Sequence, residues 1–175
     1  MRIEIRVFVL LTALAAGCTA APRVRPVKMG PADETLEGAR QFLKGRWTLV
    51  SYEVFPPGKA PVQLGGAGTG SLTYDDYGNL DMQIRVTDQK IADALGAAGV
   101  PLKDNAISTT GRTALDFQNH KLTYILEGQP QLVSNASMGP LAMNRPRFWQ
   151  VDGENLILTT KDDNGQPLAV SRWKK

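Results

Sequence analysis

The chain offers little from which a catalytic centre could be assembled. It has one cysteine, Cys18, and one histidine, His120, so neither an internal disulfide nor a cysteine-based metal site can form. A histidine-dependent acid–base unit would have to be built on His120. That residue falls between Asn119 and Lys121 in a predicted hairpin turn and reads as a surface turn residue. Without a second histidine, zinc would need an unusual carboxylate-rich site. The acidic pairs Asp75-Asp76 and Asp162-Asp163 sit at turns and lack the alternating ligands and closing glutamate of a calcium loop. Gly65-Gly66-Ala67-Gly68-Thr69-Gly70 lacks the Gly-Lys-Ser/Thr ending of a phosphate loop and precedes a strand, where a helix would be needed. No nucleophile is paired with a base. The expectation is a protein that is not an enzyme, with no metal site and no cofactor.

Binding is the chemistry that remains. Leu72, Tyr74, Met82, Ile84, Leu122, Tyr124 and Leu126 fall on the apolar faces of predicted strands. They either line a pocket or fill a small barrel, since eight strands leave room for packed side chains or one small ligand. A cavity beyond roughly 300 Å³ would favour a ligand; a filled interior would shift the weight to the loops. Of those, 129–145 is a long connection carrying Met138, Gly139, Pro140 and Met143, the kind of segment that forms a binding loop or stays unstructured.

The elements that must position these residues are mostly strands. Alternation and turn signals predict eight, over 47–55, 70–75, 80–86, 107–117, 121–127, 147–151, 155–160 and 168–174. The clearest is the third, where Leu80, Met82, Ile84 and Val86 alternate with Asp81, Gln83 and Arg85. Asp152-Gly153 and Asp163-Asn164-Gly165 are hairpin signals. Two short helices are predicted, one capped by Asp33 and running to Lys44, the other over 88–98. One apolar face per strand and short connections predict an all-β fold: an eight-stranded antiparallel up-and-down barrel with one or two short helices.

Composition fits one packed domain over 32–175: 42% of residues are hydrophobic and 21% charged. The net charge of +3 falls to +2 without residues 1–17, which hold Arg2, Arg6 and Glu4. That surplus is too small for nucleic-acid binding.

The N-terminus reads as a signal peptide over 1–17. Arg2 and Arg6 precede the uncharged run Val7 to Ala16, which is shorter than the about 20 residues needed to span a bilayer. Ala15-Ala16-Gly17-Cys18 resembles the lipobox of bacterial lipoproteins. The resemblance implies cleavage before Cys18, acylation of its thiol, and anchoring in the cell envelope. Thr19 stands where an aspartate retains Gram-negative lipoproteins at the inner membrane, so the periplasmic face of the outer membrane is expected if the cell has one. Residues 18–31, with prolines at 22, 26 and 31, read as a lipidated tether.

Leu43-Lys44-Gly45-Arg46-Trp47-Thr48-Leu49-Val50-Ser51 resembles the Gly-x-Trp-x-Leu-Val-Ser opening of the bacterial lipocalin-like domain family. Gly70-Ser71-Leu72-Thr73-Tyr74, Arg147-Phe148-Trp149, Gly153 to Leu158 and Ser171-Arg172-Trp173 are similar to its later segments. The resemblance implies that Trp47, after Gly45, plugs one end of the barrel, with Arg172 or Lys174 over its ring. It also implies a cavity, without naming a ligand. Two functions follow: a membrane-anchored protein binding a small hydrophobic or amphiphilic molecule in the barrel, or an envelope scaffold or inhibitor gripping a protein through the rim loops 56–69 and 129–145.

Overall fold

A computed structural model describes residues 35–126, 141–143 and 145–175. The signal peptide, Cys18, the tether and residues 127–140 of the long connection lie outside the described residues.

Helix α1 (Leu36–Leu43) is capped by Thr35, whose hydroxyl accepts the Gly38 amide at 3.0 Å. This corrects the cap expected at Asp33, which is itself outside the described residues. Gly45, at φ +111°, then swings the chain directly into β1 (Gly45–Val54).

Strand β1 bends. Gly45–Thr48 pair with one neighbour, β3 (Gly68–Tyr74), and Thr48–Val54 with the other, β9 (Pro167–Lys174). Between Leu49 and Ser51 the register shifts, leaving Val50 unpaired and 53% exposed. The bulge resets the alternation by one residue, so Trp47 faces inward before it and Tyr52 and Val54 after it. A two-residue strand absent from the expectation, β2 (Val62–Gln63), adds to the far end of β1.

The remaining strands are β4 (Asn79–Val86), β5 (Ala106–Asp116), β6 (Lys121–Leu126), β7 (Arg147–Asp152) and β8 (Asn155–Lys161). Successive strands pair antiparallel, and β1 with β9 completes the circuit. The result is an eight-stranded closed barrel of β1 and β3 to β9, carrying two short helices, as the alternation predicted. The second helix, α2 (Gln89–Ala97), joins β4 to β5 and is capped by Asp88. Strand β4 holds its alternation throughout, with Leu80, Met82, Ile84 and Val86 buried and the residues between them exposed.

Register places α1 and the turns at 75–78, 117–120 and 153–154 at one end of the barrel. The loop 55–67, α2 and the turn at 162–166 lie at the other. One seam is short: β6 and β7 pair only through Lys121 with Phe148 and Leu122 with Arg147.

Candidate functional site

Trp47, 1% exposed, closes the α1 end of the barrel. Its indole Nε1 donates to the Leu43 carbonyl at 2.8 Å, and Phe42 packs on it at 5.5 Å between centroids. The cation over its ring is Lys175, with Nζ 4.6 Å from the centroid. This corrects the expectation of Arg172 or Lys174, and strand parity is the reason. Trp173 is buried inside, so its neighbours on β9 point outward: Arg172 lies 4.0 Å from Asp152 and Lys174 3.0 Å from Glu154. Lys175 shares the parity of Trp173. Burial pulls its ammonium below the usual lysine range, and Nζ also donates to the Phe42 carbonyl at 2.6 Å.

His120 is also at this end. It occupies the expected turn, at φ +51°, but its ring is half-buried and stacks on Trp149, 4.5 Å apart and 9° from parallel. The acidic pairs shape turns. Asp75 accepts the Tyr77 and Asn79 amides and the Asn79 side chain, and Asp162 accepts the Asn164 and Gln166 amides. No group of three His, Cys, Asp or Glu side chains among the described residues is placed to hold a metal ion.

Of the residues expected to line a pocket, Leu72, Tyr74, Met82, Ile84, Leu122 and Tyr124 are buried in the one core, and Leu126 is half-buried against it. The structure joins Tyr74 and Tyr124, 50 positions apart, by a 2.8 Å bond between their hydroxyls. Those hydroxyls are thereby oriented by each other.

The polar groups facing free space are ones the sequence reading missed. Arg147, only 8% exposed, is the first residue of β7 and lies at the short seam. Its guanidinium stacks on the Tyr124 ring at 4.3 Å, and its Nη1 donates to the carbonyls of Met143 and Arg145. It borders a small cavity of about 30 Å³ together with Tyr52, Ser171, Leu141, Met143 and two of the expected pocket residues, Met82 and Ile84. That volume holds a water molecule or two, far below what an amphiphile needs. Leu141 and Met143, from the connection into β7, occupy the interior that the strands leave open. Parity was the available signal for Arg147, which shares a strand face with the buried Trp149. For Tyr52 there was none, because the bulge at Val50 reverses the count.

The three interior tyrosines resist ionisation. Burial pushes the Tyr52 phenol up to about 12, with Arg147 pulling it partly back. Burial raises Tyr74 well above its ordinary range and also raises Tyr124. Folding thus favours the neutral phenols. Their contribution to stability is full below the unfolded value of about 10 and is lost as pH rises through the folded values. Alkaline titration should therefore show Tyr52, Tyr74 and Tyr124 ionising late, with cooperative unfolding once the pH passes roughly 10–12. Phenolate absorbance from all of them near pH 10, with the barrel intact, would contradict the enclosed geometry.

Two depressions open to the surface. One of about 160 Å³ lies between α1, the turn at 75–78 and β5. The other, about 390 Å³, lies outside the barrel among Arg145, Phe148, Lys161 and Asp163. No protein-family model matches the chain, and no curated protein is similar to it in sequence.

Proposed function

We propose that this is a lipocalin-like protein of the cell envelope, lipidated on Cys18, that binds a small hydrophobic or amphiphilic molecule inside its barrel. The observation that carries the reading is how the interior is filled. Strand side chains pack the Trp47 end, whereas the opposite half is closed in part by side chains from connecting segments, Leu64, Leu141 and the half-buried Met143 among them. A connection has few ladder hydrogen bonds to break, so its side chains are the ones a ligand tail can displace. The about 30 Å³ cavity lies against Leu141 and Met143.

Native mass spectrometry of the full chain, released from membranes in mild detergent, tests the proposal. An amphiphile of defined mass should remain bound, and Leu141→Ala, which removes part of that closure, should increase the bound fraction. Labelling with an alkyne analogue of palmitate should mark the wild type and spare Cys18→Ser. Empty barrels in both the wild type and Leu141→Ala would sink the ligand reading, and labelling of Cys18→Ser would sink the anchor.

The small interior volume favours the second reading, a scaffold or inhibitor that grips a protein by its rim loops, and the outer depression by Arg145 and Phe148 offers such a module a surface. Empty barrels together with a single crosslinked partner from positions in 56–69 would establish it.

A further inference from the structure

We infer that Arg147 is the receptor for a carboxylate head on the barrel ligand, an assignment that rests on the ligand-binding reading above. Arg147 is a guanidinium held within the barrel wall at 8% exposure, and among the described residues no carboxylate lies within ion-pair distance of it. The contrast with Arg145 is direct. Arg145 is as buried, but it reaches out to Asp163 at 2.8 Å and to the Lys161 carbonyl at 3.0 Å.

The partners of Arg147 are neutral and one-sided. Both of its oxygen acceptors, the carbonyls of Met143 and Arg145, sit on Nη1. Among the described residues the other edge of the fork, Nε and Nη2, meets only the Met143 sulfur, 3.7 Å from Nη2. A carboxylate engages a guanidinium through such an edge, by two parallel hydrogen bonds. The same side chain lines the about 30 Å³ cavity, beside Tyr52, whose phenol lies within its field.

A buried charge without a counter-charge is costly, and a ligand carrying the single opposite charge removes that cost on binding. One guanidinium, with no second cation among the described residues that border the cavity, suits a singly charged planar carboxylate better than a phosphate dianion. The tail would take the place of Leu141 and Met143, and the head would replace the sulfur contact on Nη2.

A matched pair of ligands on the full chain separates the two levels of the proposal. Decanoate and 1-decanol share a tail and differ in the head, and isothermal titration calorimetry reads the affinity of each. Decanoate should bind about tenfold tighter than decanol or better. Arg147→Gln should bring the ratio of the two affinities close to one, and Arg147→Lys, which keeps the charge but not the fork, should restore part of the preference. Equal binding of the two by the wild type overturns the carboxylate assignment and leaves the barrel-ligand reading standing. Binding of neither overturns both. Should Arg147→Gln fail to fold, the wild-type ratio and Arg147→Lys still decide.

Discussion

Trp47→Ala is expected to lower the unfolding free energy by about 3–5 kcal/mol, the cost of deleting a fully buried large aromatic. Three losses coincide at this position. The indole fills the end of the core, its Nε1 bond to Leu43 ties β1 to α1, and its ring is the seat of the Lys175 ammonium. Two further variants apportion them. Trp47→Phe keeps most of the volume but leaves the Leu43 carbonyl without its donor, which should cost about 1–3 kcal/mol. Lys175→Ala removes the cation, worth about 0.5–2 kcal/mol. Denaturant unfolding measures all three, with the slope m unchanged if the barrel still unfolds as one unit. A loss for Trp47→Ala no greater than that for Lys175→Ala would mean that α1 and its neighbours close the barrel end without the indole.

The fold was legible because most strands have one wet face and one dry face. In β4 the period of two runs unbroken from Asn79 to Val86, and Leu122 and Tyr124 are buried where the same count places them. What escaped the sequence depends on single backbone events or on long-range register. The Val50 bulge sends Tyr52 inward against the count. The Tyr74–Tyr124 bond requires β3 and β6 to be set at matching heights through two intervening strands. Apolar patterning alone cannot place Arg147, because a charged residue at a strand start reads as exposed. The cation on Trp47 escaped for a simpler reason: the choice was made between two residues of outward parity, and the inward one follows them.

Gly111→Ala is expected to be the most damaging of the glycine substitutions, costing about 3 kcal/mol or more, at or above the usual upper range for overpacking. An added Cβ would come within 2.3 Å of the Ile125 carbonyl oxygen and 3.0 Å of the Leu126 Cα. Both are backbone atoms, so no rotamer change gives relief and β5 and β6 must part. The consequence reaches the interior. Strand β6 is paired to β7 at only two positions, so its placement rests chiefly on β5, and Tyr124 moves with it. The hydroxyl bond to Tyr74 and the ring beneath Arg147 should be disturbed together. The control is Gly153→Ala, where the backbone is left-handed at φ +59° but a Cβ meets nothing within 4 Å. Strain alone there should cost about 1–2 kcal/mol. Thermal unfolding followed by near-ultraviolet dichroism separates the two, with Gly111→Ala melting earlier and losing tyrosine signal before the transition. Equal melting of the two variants would show that β6 can shift away from β5 at little cost. The tyrosine pair and the Arg147 site would then be held by the apolar core and not by the sheet.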